Sequence, residues 1–194
     1  MNRAVALTSF LAISGLAFAS INAVGGIEVQ SAPVVDIGGP FELIDHNNIA
    51  RRDSDFQGRH MLVYFGYNWC PDICPTTLYN MSSALDLLGE RDANRVQPIY
   101  ISLDPRRDSP DDLKDYIQSF HPSFVALTGS EQEVSAVAKA YGVDYEKVWD
   151  SSGDFYYVDH TALIFLLDSK GNFVRFFSHE AQGKEIAQGL RETF

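Results

Sequence analysis

The fold is decided by the stretch Met61-Leu-Val-Tyr-Phe-Gly-Tyr-Asn-Trp-Cys-Pro-Asp-Ile-Cys-Pro75. It opens with a short run of apolar and aromatic residues, rich in β-formers, which predicts a buried strand. Residues 66–69 predict a turn, and the only two cysteines of the chain, Cys70 and Cys74, follow directly. Because proline fits the first turn of a helix, Pro75 and the run 76–88 predict a helix here. A buried strand therefore delivers both thiols to the start of a helix.

The start of a helix changes the chemistry of a thiol. Free backbone N–H groups and the helix dipole favour anions there, so a cysteine tends towards the thiolate, which is both a nucleophile and a metal ligand. The spacing of Cys70 and Cys74 allows the two sulfurs to form a disulfide or to share one metal ion. A structural disulfide or two inert core thiols are the alternative, but the proline-flanked strand-to-helix setting favours a reactive site.

The N-terminal residues 1–24 predict export. Met1-Asn-Arg3 is a short positive start, a mainly apolar segment follows, and Ala17-Phe18-Ala19 fits a signal-peptidase site. The segment is a cleaved signal peptide or, because its apolar character extends almost to Val24, a retained membrane anchor. We expect residues 25–40 to be a linker and residues 41–194 to form one domain.

The composition limits the partners and the class of protein. A length of 194 residues with 45% hydrophobic residues suits one domain with a proper core. The formal net charge of -11 and the lack of a basic run argue against a nucleic-acid partner. An acidic surface is compatible with cation handling or with a basic protein partner.

The order of predicted elements defines the fold class. Further strands are predicted at 41–44, 97–103, 124–127, 161–167 and 173–177, helices at 109–120, 130–141 and 180–191, and a hairpin within 143–159. This alternation predicts an α/β fold with a central, mainly parallel sheet flanked by helices and an antiparallel edge hairpin. Chemistry in such sheets sits at the carboxyl ends of the strands, where the cysteine pair and Asp104 fall.

His160 is the candidate third ligand. It directly precedes the predicted strand 161–167, and in a thioredoxin-like arrangement this segment packs against the start of the dithiol helix. Thioredoxins usually carry a cis-proline there, whereas an imidazole can hold a metal. Two thiolates and one imidazole suit Cu(I) and can hold Cu(II), while a structural zinc site would need a fourth ligand, which is not evident.

Other polar residues receive weaker interpretations. Asp159 could orient the His160 ring or merely solvate its own turn. Asp72 could add charge near a cation or favour the helix start, and Asp104 and Asp108 are mainly interpreted as turn-forming residues before the Ser109 cap. The remaining histidines lack a setting for metal binding and are interpreted as ordinary: His46, His60, His121 and His179.

Four segments of the chain resemble the Sco/SenC family in order and spacing. They are Phe65-Gly-Tyr-Asn-Trp-Cys-Pro-Asp-Ile-Cys-Pro75, Ser102-Leu-Asp-Pro-Arg-Arg-Asp-Ser-Pro110, Leu127-Thr-Gly129 and Val158-Asp-His-Thr161. The resemblance covers residues 41–192. Asn68-Trp69 departs from the family's usual Thr followed by His or another aromatic, which leaves the three presumed ligands untouched.

This resemblance implies a thioredoxin-like fold of the peroxiredoxin type that faces the periplasm or the mitochondrial intermembrane space. A tether to the inner membrane through an N-terminal segment is common in the family. It further implies copper binding through Cys70, Cys74 and His160. The implied role is assembly of the binuclear copper centre on subunit II of cytochrome c oxidase, alongside other copper chaperones or thiol-disulfide reductases.

Several functions compete. The leading hypothesis is a copper metallochaperone without enzymatic turnover, because a dithiol can both bind copper and release it. The second is a thiol-disulfide oxidoreductase that uses Cys70 and Cys74, although such enzymes usually have two residues between their cysteines and a cis-proline. A thiol peroxidase is disfavoured because no threonine stands three residues before either cysteine. A copper or redox sensor cannot be separated from the chaperone by sequence.

Overall fold

The computed structural model describes residues 37–194. The predicted signal or anchor at 1–24, and the linker up to residue 36, lie outside the described residues. Within 37–194 no helix has both the length and the apolar character needed to cross a membrane. The strands of this part are β1 (Glu42–Asp45), β2 (Ala50–Arg52), β3 (His60–Gly66), β4 (Val96–Ser102), β5 (Val125–Thr128), β6 (Tyr145–Trp149), β7 (Tyr156–His160), β8 (Leu163–Leu167) and β9 (Phe173–Ser178). The helices are α1 (Ile73–Leu88), α2 (Glu90–Ala93), α3 (Pro110–Ile117), α4 (Glu131–Ala140) and α5 (Gly183–Arg191), with a 3-10 turn at Asp53–Phe56.

Seven of these strands form one sheet in the order β2-β1-β5-β4-β3-β8-β9, and β6 pairs with β7 as a separate hairpin. The pairs β3–β4 and β4–β5 are parallel, whereas β8 runs antiparallel to both β3 and β9. The α/β prediction is confirmed, and β8 with β9 forms the predicted antiparallel edge hairpin. The sheet is mixed, because β1 also runs antiparallel to β2 and β5. A parallel β8 would need a crossover connection, whereas the β6–β7 hairpin lets the chain return from the site end.

The two central strands supply the middle of the core. Every residue of β3 and of β4 is buried, as expected for strands covered on both faces. Leu62, Ile99 and Ile101 have no exposed surface, so truncating any one of them to alanine should cost about 2–5 kcal/mol of stability. The apolar runs predicted as buried strands are therefore the rigid base on which the cysteine loop stands.

Local sequence signals place the helix starts accurately. Ser109 and Ser130 cap α3 and α4, and each accepts a hydrogen bond from the backbone N–H of its capping-box partner. Helix α1 begins at Ile73, so Pro75 lies in its first turn as predicted. Helix α3 ends at Ile117 rather than Phe120, and α5 begins at Gly183 rather than residue 180. Strand β2, the 3-10 turn and α2 were not predicted, since three or four residues carry too little periodicity to register.

Candidate metal centre

Strand β3 and helix α1 hold the two thiols at the carboxyl edge of the sheet. The loop between them is closed by a hydrogen bond from the Cys70 N–H to the Tyr67 carbonyl, 3.2 Å long. Cys74 is the second residue of α1, and its backbone N–H donates to the Cys70 sulfur over 3.4 Å. Both cysteines are free thiols; Cys74 is fully buried, whereas Cys70 is partly exposed. The predicted pair of thiols therefore lies at a helix start, with the Cys74 sulfur buried and the Cys70 sulfur near the surface.

His160 reaches the same place from the other side. Because β8 is antiparallel to β3, its beginning lies beside the end of β3, with Ile164 paired to Tyr64. His160 Nε2 stands 3.8 Å from the Cys74 sulfur. His160 Nδ1 lies 3.1 Å from the Thr161 carbonyl oxygen, so this carbonyl, and not the Asp159 carboxylate, orients the ring. A proton on Nδ1 leaves Nε2 free as an acceptor or a metal ligand.

The environment gives the three groups different proton affinities. The pKa of Cys70 falls to about 5, through a hydrogen bond from the Cys74 thiol and further bonds from the backbone N–H groups that start α1. The pKa of Cys74 is raised, because its thiol is held in the hydrogen bond to Cys70 and is buried. Burial also lowers the pKa of His160. At neutral pH the site therefore holds a thiolate, a thiol and a neutral imidazole.

The donor set is chemically suited to copper. Within residues 37–194, no three His, Cys, Asp or Glu side chains converge closely enough to hold a metal ion as they stand. Cys70 and His160 nevertheless line one cavity of about 250 Å³ with Tyr67 and Asp72. Thiolate and imidazole ligands favour Cu(I) and Zn²⁺ over hard cations such as Mg²⁺. To hold one ion together, Cys70, Cys74 and His160 would have to draw closer to one another than they stand here.

Asp108 supports the cysteine loop from beneath. It is fully buried, and its Oδ2 accepts hydrogen bonds from the Ser102 hydroxyl at 2.6 Å and from the Asn68 N–H at 3.1 Å. Burial raises the pKa of this carboxyl to about 6. The interpretation of Asp108 as a turn residue was therefore too narrow, because its side chain ties the strand β4 end to the loop that carries Cys70.

Asp104 anchors the β6–β7 hairpin that ends in His160. It is fully buried, pairs with Arg107 and accepts a hydrogen bond from the Tyr156 hydroxyl at 2.8 Å. Arg107 also donates to the Tyr156 carbonyl over 3.0 Å and lies over the Tyr156 ring, 3.8 Å from its centre. Asp104 thus positions the β6–β7 hairpin, which ends in His160.

Sequence reasoning missed Tyr64 and Arg107 as site residues. Tyr64 lies within the run predicted as a buried strand, and nothing in that pattern separates a packed ring from one whose hydroxyl faces a sulfur. Arg107 follows a proline in a polar turn, where an arginine is ordinarily solvent-exposed. Arg107 meets Tyr156 from a distant part of the chain, and the Tyr64 hydroxyl meets the Cys74 sulfur across the strand-to-helix loop, so only the assembled fold displays these contacts.

The remaining candidates fall elsewhere or play minor parts. Asp72 is the exposed residue before α1 and makes no capping hydrogen bond with its side chain. His46 accepts a hydrogen bond from the Ala126 N–H, and His60 packs edge-on against Phe194. The backbone N–H of His179 donates to the Ala162 carbonyl, two residues beyond His160.

The fold and the site define a thioredoxin-like protein with a reactive dithiol beside an imidazole. The sequence profile of the SCO1/SenC family matches residues 29–194. A SCO2-like protein of Rickettsia felis is 38% identical over 158 residues, which span 81% of this chain and 77% of that protein. Protein sco1 of Schizosaccharomyces pombe is 38% identical over 79% of this chain and 59% of its own length. The chain belongs to the SCO1/SenC family.

Solved structures agree with this assignment and confirm the thioredoxin-like fold. Bradyrhizobium japonicum ScoI with copper bound is 42% identical, has a TM-score of 0.75, and the match covers 81% of this chain and 99% of that one. Yeast Sco1 with copper bound is 35% identical with a TM-score of 0.74, over 81% of this chain and 87% of that one. BsSco, 22% identical, is described as a member of the Sco family of cytochrome c oxidase assembly proteins and as having a disulfide switch. The family is thus linked to copper binding and to oxidase assembly.

Proposed function

We propose that this chain binds one copper ion through Cys70, Cys74 and His160 and delivers it to the binuclear copper centre on subunit II of cytochrome c oxidase. The observation that carries the proposal is the 3.8 Å approach of His160 Nε2 to the Cys74 sulfur, beside the Cys70 sulfur. Membership of a family that includes solved members with copper bound, such as Bradyrhizobium japonicum ScoI, supports it. We further propose that the domain acts after export to the periplasm, free or tethered to the inner membrane through residues 1–24.

The asymmetry of the dithiol supports both uptake and release. Cys70 is already ionised at neutral pH and partly exposed, so it is suited to meet an incoming copper ion first. Cys74 and His160 lie deeper and complete the coordination as Cys74 gives up its proton. On delivery the order reverses, because a ligand of the acceptor protein reaches the ion from the Cys70 side. Trp69 and Ile73 flank this opening with 59% and 43% of their surface exposed.

A thiol-disulfide reductase is the second candidate, and the low pKa of Cys70 favours it. In this reaction the Cys70 thiolate attacks a target disulfide, forming a mixed disulfide and releasing one target thiolate. Cys74 then gives up its proton and attacks the Cys70 sulfur. The target leaves as a dithiol, and Cys70 and Cys74 are oxidised to a disulfide. Such a protein would prepare the cysteines of subunit II to receive copper from another chaperone.

The first test is copper stoichiometry on the reduced protein, loaded anaerobically with Cu(I) under a competing chelator. We expect one copper per chain, with loss or strong weakening in Cys70→Ser, Cys74→Ser and His160→Ala. His46→Ala is the matched control, because that half-buried imidazole packs on β5 and follows β1, which lies three strands away from β3 in the sheet. Weak binding by the wild-type protein, or full binding by His160→Ala, would exclude the proposed site.

A second experiment separates the chaperone from the reductase. The copper-loaded protein and the metal-free dithiol protein are each mixed with the soluble, copper-free domain of subunit II. The chaperone moves copper to that domain when its cysteines are already reduced, and the His160→Ala protein does not. The reductase instead converts a disulfide form of the domain to the dithiol, and it does so with or without His160.

A further inference from the structure

Tyr64 is the buried side chain that touches the inner half of the site. It lies in β3, and its hydroxyl donates to the Cys74 sulfur over 3.8 Å, a long hydrogen bond of the kind sulfur accepts. Its ring meets the His160 ring edge-on, with centres 6.2 Å apart. The side chain has no exposed surface, so water does not compete for its hydroxyl. One residue thus contacts two of the three proposed ligands.

A second tyrosine provides a natural comparison. Tyr100 lies on the neighbouring strand β4 and is equally buried, and its hydroxyl has no hydrogen-bond partner among the described residues. It is also close to Cys74, because both side chains lie next to Gly66. A Cβ placed on Gly66 would lie 2.9 Å from the Cys74 sulfur and 3.3 Å from the Tyr100 hydroxyl. The two hydroxyls therefore share burial and neighbourhood, but only that of Tyr64 bonds to sulfur.

We propose that the Tyr64 hydroxyl sets the donor strength of the Cys74 sulfur and thereby makes the site favour Cu(I) over Cu(II). A hydrogen bond to a thiolate withdraws electron density from it, and the effect is larger in a buried site of low dielectric. Cu(II) depends more on strong thiolate donation than Cu(I) does, so the bond weakens Cu(II) binding more. Hydrogen bonds around a ligating sulfur tune copper centres in this way. The copper part of this inference rests on the function proposed above.

The copper experiment compares Tyr64→Phe with Tyr100→Phe, each of which removes one hydroxyl and keeps the ring. For Tyr64→Phe we expect the ratio of Cu(I) to Cu(II) affinity to fall about tenfold, which corresponds to a decrease of about 59 mV in the one-electron reduction potential. The sulfur-to-Cu(II) charge-transfer band should move to longer wavelength, because the sulfur becomes a stronger donor. Tyr100→Phe should match the wild type in both respects.

A copper-free experiment tests the same hydroxyl on the dithiol itself. The reduced protein is equilibrated with glutathione, where the dithiol and one oxidised glutathione give the protein disulfide and two reduced glutathiones. A disulfide sulfur accepts hydrogen bonds more weakly than a thiol or thiolate, so Tyr64 stabilises the reduced form. Tyr64→Phe should therefore shift the equilibrium several-fold towards the disulfide, while Tyr100→Phe should leave it unchanged.

The outcomes are separable. If Tyr64→Phe and Tyr100→Phe give the same affinity ratio and the same glutathione equilibrium, the inference is overturned, even if copper binds as proposed. If the wild-type protein holds no copper, the proposed function fails and the glutathione equilibrium alone decides the role of Tyr64. Should Tyr64→Phe not fold, the copper–sulfur stretching frequency of the wild-type Cu(II) form is compared in H2O and D2O. The absence of an isotope shift contradicts the inference, and a shift beyond the one that the N–H-bonded Cys70 sulfur accounts for supports it.

Discussion

Gly66, the last residue of β3, should be essential for the position of the inner sulfur. A Cβ at this position would stand 2.9 Å from the Cys74 sulfur and 3.0 Å from a ring carbon of Tyr100. Both neighbours are fully buried, so neither can swing into solvent. The substitution Gly66→Ala must therefore push Cys74 away from His160 or displace the Tyr100 ring.

The size of the effect follows from the packing. Overfilling a core with one methyl group costs about 1–3 kcal/mol, and the reduced freedom of alanine in the unfolded chain returns about 0.4–1 kcal/mol. A net loss of about 1–2 kcal/mol would lower Tm by about 3–6 °C in a domain of this size. Displacing a ligating sulfur should weaken copper binding by about 10–100-fold, as loss of a supporting contact does in other metal sites.

Thermal unfolding and Cu(I) competition titration on the same preparation provide the assay. Gly189→Ala is the matched control, because Gly189 lies in helix α5, away from the thiols. A Cβ at Gly189 would lie 2.7 Å from the Phe177 ring. That variant should lose stability and keep its copper affinity. If Gly66→Ala retains both its Tm and its affinity, the close packing of Gly66, Cys74 and Tyr100 does not position the sulfur.

Three further outcomes are expected. In the metal-free protein, the alkylation rate of Cys70 should be half-maximal near pH 5, because the pKa of this thiol falls to about 5, whereas the buried Cys74 stays unmodified. Peptide mass spectrometry measures both cysteines. Alkylation of Cys70 that begins only near the ordinary pKa of a free thiol would refute the assignment. The pKa of Asp108 is raised from 3.8 to about 6, so the folded protein favours the protonated carboxyl. This contributes about 3 kcal/mol to the free energy of unfolding below pH 3.8, and the contribution is lost as the pH rises through 6. Asp108→Asn should remove that part of the pH dependence in denaturant unfolding, and an unchanged difference from the wild type across this range would contradict it. Ser130→Ala should cost about 1 kcal/mol by removing the cap of α4 and its bond from the Glu133 N–H, with no change in copper affinity; a loss of affinity would show that α4 supports the site.

The sequence determined the elements whose signals are local. The apolar run before the cysteines predicts β3, the serine caps predict the starts of α3 and α4, and the position of Pro75 places both thiols at a helix start. These signals act within a few residues, so they survive without knowledge of the tertiary structure. The cysteine pair as the reactive feature was therefore recognisable from spacing and context alone.

The position of His160 depended on strand direction, which no local pattern encodes. Had β8 run parallel to β3, its first residue would lie at the far end of a five-residue strand, about 17 Å from the thiols. The likeness to thioredoxins anticipated the correct placement, but the antiparallel pairing of Tyr64 with Ile164 is what achieves it. Tyr64 and Asp108 acquired their roles only in the assembled core, because no residue pattern shows which buried hydroxyl will face the Cys74 sulfur or which carboxylate will accept the Asn68 N–H.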